Sequence, residues 1–118
     1  MKNIISPHVT IYKFPITALT SITTRVTGVA FSGMYVFTGL NCYTNIDIKK
    51  IYNEQNFFIK KMINYSVLFP INFHTLGGIR HFIWDKNPKL LKNMSVNKSS
   101  YLLIFSSLGF TYISEKLL

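Results

Sequence analysis

The sequence predicts an all-α, integral membrane protein with three transmembrane helices, and three observations carry that expectation. Only 14% of the 118 residues are charged, against 48% hydrophobic, where about 25% charged is usual in soluble domains. The charges are clustered, so long stretches carry none. Those stretches approach the length a helix needs to cross a bilayer, and they fall at about 17–43, 58–84 and 99–116. Residues 1–118 therefore read as a single transmembrane anchor domain.

The remaining composition narrows the class. The formal charge of +9 sits mainly at the ends of the expected spans, which suits membrane lipid, and no nucleic-acid partner is expected. A single cysteine, Cys42, excludes an internal disulfide framework and multi-cysteine metal sites. Lying in an apolar run, it is expected to be a small packing residue. The opening Met1 to Ile5 has neither the arginines of a transit peptide nor the pattern of a secretory signal, so no cleavable presequence is expected. Lysine far outnumbers arginine, and Asn, Ile, Phe and Tyr are abundant. That bias points to an AT-rich, organellar genome.

Residues 1–16 carry two prolines and read as an irregular or interfacial segment, with Tyr12, Lys13 and Phe14 as headgroup-level anchors. His8 lies outside any span and is expected at the surface or at a subunit contact. A helix starts after Pro15 and runs to about Tyr43, uncharged from Val26 onward over about 27 Å. Along it Thr17, Ser21, Thr24, Arg25, Gly28, Ser32 and Gly39 form one small, polar stripe. For Gly28 and Ser32 the expected role is a helix-packing seam. Ser21 and Arg25, at i and i+4, project together and offer a hydroxyl and a permanent cation to one ligand.

Residues 45–55 read as a polar loop. The second helix runs from about Phe57 or Lys61 to Trp84, with a kink expected at Pro70. Lys61 and Arg80 are separated by about 28 Å of helix, so Arg80 and His81 mark the boundary opposite Lys61. Residues 85–98 read as a basic loop containing Pro88. The apolar run from Ser99 to Ser114 is short for a third span, and its serines and Gly109 suggest helix contacts. Lys and Arg near span ends are more numerous around the amino terminus and the second loop than around the first. That excess puts the amino terminus on the inner side.

The stretch from Phe73 to Asp85 carries the chemistry. On a helix, His74 and His81 lie within roughly 20° of one face and about 10 Å apart, with Gly77 and Gly78 between them. This is an imidazole, a hollow and a second imidazole, a surface suited to a porphyrin with one axial nitrogen and a propionate donor. Two glycines inside a helix cost about 1 kcal/mol each, which favours close approach by something. The alternative is that His74 hydrogen-bonds a neighbouring helix and the glycines serve packing alone. Both readings stand on this stretch by itself.

Taken with the first helix, the chain resembles the large membrane-anchor, cytochrome b subunits of succinate dehydrogenase, respiratory complex II. Ser6-Pro7-His8-Val9-Thr10-Ile11-Tyr12 resembles that family's amino-terminal signature. Ser21-Ile22-Thr23-Thr24-Arg25-Val26-Thr27-Gly28 resembles its Ser-Ile-x-His-Arg-x-Thr/Ser-Gly motif, and residues 74–85 its His-x3-Gly-x-Arg-His-x3-Asp pattern. The resemblance implies half of a membrane-anchor helix bundle holding haem b, with His74 as axial ligand to the haem iron and His81 as a propionate partner. It further implies Ser21 and Arg25 at the ubiquinone, with Arg25 also near a propionate. The family's histidine before that arginine is Thr24 here, and threonine carries no charge near neutral pH.

The implied function is that of an enzyme subunit. A flavoprotein subunit with FAD and an iron–sulfur subunit oxidise succinate, and electrons pass to ubiquinone bound partly by this chain. The second haem ligand comes from a small membrane-anchor subunit. The implied location is the mitochondrial inner membrane, with the amino terminus on the matrix side and organellar encoding; the alternative is a bacterial inner membrane. Two other functions are weighed: a fumarate reductase anchor, and a purely structural anchor without redox cofactors. The His74–Gly78–His81 face argues against the last.

Overall fold

A computed structural model describes residues 14–44 and 46–117, apart from the side chain of Asn93. The expectations for His8, Tyr12, Lys13 and the rest of residues 1–13 lie outside the described residues. The chain forms α1 (Ile16–Thr44), α2 (Ile48–Asn53), α3 (Phe57–Lys86) and α4 (Asn93–Leu117), with a 3₁₀ turn at Pro88–Leu91. The fold is all-α, built on three long helices. The middle one is α3, packed along α4 on one side and α1 on the other.

Two segments read as loops are largely helical. In the first, the Asp47 side chain accepts from the Lys50 amide at 3.1 Å and so caps α2. So short a helix does not persist alone. It is held by Tyr52, whose hydroxyl donates to Asn64 Oδ1 at 2.9 Å, and by Lys60, whose Nζ donates to the Asn53 carbonyl at 3.0 Å. In the second, α3 continues to Lys86, Pro88 opens the 3₁₀ turn, and α4 begins at Asn93, ahead of the apolar run. Proline suits that first position because its missing N–H would be unpaired there anyway. The helix α3 continues through Pro70.

The inside of the bundle is made of hydroxyls. Among the described residues only Phe73 and Leu103 are buried hydrophobics, while Thr20, Thr24, Thr27, Ser100, Ser107 and Thr111 are buried. Each of these hydroxyls returns to a carbonyl of its own helix: Thr24 to Thr20 and Thr27 to Thr23 at 2.8 Å, Ser100 to Val96 at 2.8 Å, Thr111 to Ser107 at 2.7 Å. Small residues satisfied in this way let helix backbones approach closely without water. Asn72 Nδ2 adds a bond from α3 to Thr111 Oγ1 at 3.2 Å.

Large apolar side chains point outward. Val29, Tyr35, Phe57 and Phe105 are 71–79% exposed. An apolar surface of this extent is not left to water in a soluble monomer. None of the helices among the described residues is long and apolar enough, by hydropathy, to cross a membrane.

The stripe expected along α1 is narrower than its sequence spacing suggests. Thr20, Thr24 and Thr27 are buried with Gly28 beside them, whereas Ser32 and Gly39 face outward. Beyond Gly28 the residues of α1 are mostly exposed, although Phe31 still stacks on a ring of α3. Cys42, near the end of α1, is exposed, which departs from the packing role expected of it.

Gly77 is one of the places where α1 and α3 meet closely through a side chain. A Cβ placed there would lie 3.0 Å from both Cγ2 and Oγ1 of Thr24. Thr24 is buried, with its hydroxyl tied to the Thr20 carbonyl, so it has little room to yield. Gly77→Ala is therefore expected to destabilise the bundle by about 1–3 kcal/mol, the usual cost of overpacking. Thermal unfolding in detergent checks this; an unchanged or raised Tm would contradict the packing described.

Candidate functional site

His74 is carried on α3 and faces α1. Its Nδ1 lies 3.1 Å from the backbone carbonyl of Thr24. A carbonyl oxygen only accepts, so the ring proton sits on Nδ1 and the lone pair is left on Nε2. Nε2 has no hydrogen-bond partner among the described residues. A histidine that ligates a metal commonly donates its other N–H in this way, which fixes tautomer and ring orientation. The ring lies over Gly28, where an added Cβ would come within 2.8 Å of His74 Cε1. It also stacks against Phe31, with centroids 6.4 Å apart and planes at 18°.

Two glycines, one on each helix, thus receive a side chain from the other helix. Gly28 of α1 makes room for His74, and Gly77 of α3 makes room for Thr24. Gly78 differs: no atom lies within 4 Å of an added Cβ, so its hollow opens outward. Thr24 is buried in the seam and its hydroxyl is already used. It is a packing residue in this chain.

The other expected site residues are less closely gathered. His81 is exposed and meets Trp84 edge to face, with ring centroids 5.2 Å apart. Arg25 is exposed and Ser21 half-buried on α1, and neither forms a hydrogen bond or ion pair with the described residues. Neither lines the apolar cavity that lies between α3 and α4. Among the described residues no group of three or more His, Cys, Asp or Glu gathers to hold a metal ion. His74 stands as a single imidazole, apart from any other such group.

Arg80 departs from its expected place at a wet boundary. It is 8% exposed, at the junction of all three long helices. Nη1 donates to Ser100 Oγ at 3.1 Å and reaches Thr20 Oγ1 at 3.5 Å, and the guanidinium lies 4.5 Å from the Trp84 ring centroid. Sequence spacing placed Arg80 near His81 but gave no sign of these partners. The signal available was the run of serines on α4. The Thr24 carbonyl opposite His74 was also missed, because a backbone acceptor leaves no mark in the sequence, whereas Gly28 was legible as a seam residue.

Residues 1–113 match the family model described as the succinate dehydrogenase/fumarate reductase transmembrane subunit. The chain is 31% identical over 120 residues to the mitochondrial succinate dehydrogenase cytochrome b560 subunit of Dictyostelium discoideum, a match covering 94% of this chain and 62% of that protein. It is 30% identical over 119 residues to the corresponding subunit of Reclinomonas americana, covering 93% and 82%. With the succinate dehydrogenase cytochrome b556 subunit of Paracoccus denitrificans it shares 27% identity over 107 residues, covering 87% and 82%. The chain therefore spans about three-fifths of the Dictyostelium relative and more of the other two. It belongs to the family of succinate dehydrogenase/fumarate reductase transmembrane subunits.

Proposed function

We propose that the chain is the cytochrome b membrane-anchor subunit of a succinate:ubiquinone oxidoreductase, with His74 as axial ligand of haem b. The observation that carries this reading is the His74 ring, protonated on Nδ1 against the Thr24 carbonyl with Nε2 left free. The outward hollow at Gly78 and the cytochrome names of the relatives support a haem at this face. Haem b would supply one-electron transfer between the iron–sulfur subunit and the quinone. The chain's own part is to fix the His74 ring, through Thr24, Gly28 and Phe31, so that the ligand is preorganised.

His81 and Arg25, both exposed on the helices that flank that face, would hold the propionates. Ser21 and Arg25 would orient a ubiquinone carbonyl, and the guanidinium would stabilise the negative charge that develops on its oxygen. The free donors of Arg25 and the lack of any partner for Ser21 are consistent with an external ligand. A second haem ligand is needed, and we assign it to a small membrane-anchor subunit. The iron–sulfur and flavoprotein subunits, the latter with FAD, would complete the assembly. The outward apolar residues and inward hydroxyls support three spans in a mitochondrial or bacterial inner membrane, with the amino terminus on the matrix or cytoplasmic side.

The ligand assignment predicts that His74→Leu abolishes the reduced haem b absorption band in the purified assembly. Gly28→Ala, which drives a methyl group into the His74 ring, is expected to shift the haem potential or lower haem content in an otherwise folded assembly. Optical redox titration reads both. A native band and potential in His74→Leu would remove the assignment.

The quinone assignment predicts that Arg25→Leu loses most quinone reductase activity while succinate oxidation by a soluble artificial acceptor persists. Ser21→Ala should do so more weakly, because a neutral hydrogen bond is worth about 1 kcal/mol and a charged one about 1.5–3 kcal/mol. Arg25→Lys should restore only part, since a point charge does not reproduce the planar fork. Equal activity with both acceptors in an assembled Arg25→Leu variant would contradict the quinone role.

A further inference from the structure

A second site lies on the other side of α3. Between α3, the 3₁₀ turn and α4 there is a cavity of about 260 Å³, walled mainly by aliphatic side chains such as Leu76, Ile79 and Leu103. Arg80 lines it, together with Trp84 and Ser95. Nη1 of Arg80 is occupied by the Ser100 and Thr20 hydroxyls. Nε is buried with no partner, and Nη2 forms no hydrogen bond with the described residues. Nor does any carboxylate of the described residues pair with this guanidinium. A permanent cation, nine-tenths buried, thus has one whole edge of its fork unused beside an apolar cavity.

That edge, Nε with Nη2, is the one that takes two oxygens of an oxyanion side by side. We propose that the cavity binds one anionic phospholipid, with its phosphate on the free edge of Arg80 and an acyl chain along Leu76 and Leu103. The polar head then points toward Ser95, whose hydroxyl has no partner among the described residues. Ser95 and Ser99 both line the cavity and lie about 6 Å apart along α4, so the cavity offers polar groups at two depths. A phospholipid presents acceptors at two such levels, whereas a fatty acid presents a single carboxylate. Lys86, Lys89 and Lys92 flank the turn whose Leu90 closes the cavity, adding positive charge at headgroup level. The site is separate from the His74 face, which is turned to α1.

The inference rests on the membrane placement proposed above, and the test keeps the two apart. The detergent-purified assembly containing the full chain is equilibrated with mixed micelles of phosphatidylglycerol and phosphatidylcholine, or with oleate. Native mass spectrometry counts the retained molecules. The wild type is expected to retain one phosphatidylglycerol in preference to phosphatidylcholine and no oleate. Arg80→Gln is expected to lose this retention at least about tenfold, since a charge-assisted pair is removed. Ile79→Trp, at a wall position 51% exposed and outside the helix seam, should reduce it by steric filling, and it keeps the test open if Arg80→Gln fails to fold. Unselective retention, retention of oleate instead, or full retention in a folded Ile79→Trp assembly would overturn the site. Alkaline carbonate extraction reads membrane placement independently. Release of the chain from membranes would overturn that placement, and an embedded chain without lipid selectivity would overturn the lipid site alone.

Discussion

The close approach of α1 and α3 is the constraint on which the rest depends. It is made by two reciprocal insertions, Thr24 against Gly77 and His74 over Gly28. Neither insertion tolerates a side chain on the receiving glycine without movement. Once the two helices are this close, the Thr24 carbonyl falls within reach of His74 Nδ1, and the tautomer of the imidazole follows from the packing. Local sequence, helix contact and ligand chemistry are joined at one place. A larger residue at position 24 would meet Gly77 directly, so the close approach depends on the modest size of threonine there.

The same economy of space shapes the third helix. Ser100 and Ser107 are wholly buried on α4, and among the described residues Phe73 and Leu103 are the buried apolar side chains between the helices. In water such a core would supply little hydrophobic stabilisation, because burial of apolar area is the main driving term. Surrounded by lipid, the balance changes. The outward side chains are solvated by acyl chains, and association rests on backbone proximity and on hydroxyls that do not need water. The polar interior and apolar exterior are two aspects of one solution. Hydropathy alone does not mark the helices as spans, although the family is one of transmembrane subunits.

Much of this was legible in the sequence. The three long helices, the face containing His74, and the family resemblance all follow from uncharged runs and from two short motifs. Helix boundaries were less legible where polar residues formed helix, as at Asp47, whose capping bond is local, and at Asn93, ahead of the apolar run. The orientation of Arg80 was not legible at all. Its position on the helix favoured a boundary, yet hydroxyls on two other helices and the face of Trp84 hold it inside. Such tertiary partners are separated widely in sequence and have no periodic signature. The placing of Ser21 and Arg25 at one quinone rests on the resemblance and on their free donors.

The central claim is that His74 presents Nε2 to a haem iron. The most direct measurement is a reduced-minus-oxidised optical spectrum of the purified wild-type assembly, joined to electron paramagnetic resonance of its oxidised form. The account predicts one low-spin haem b with two axial imidazoles per copy of this chain. A stable assembly that reduces quinone with no haem b, or with a high-spin iron lacking a second imidazole, would contradict it.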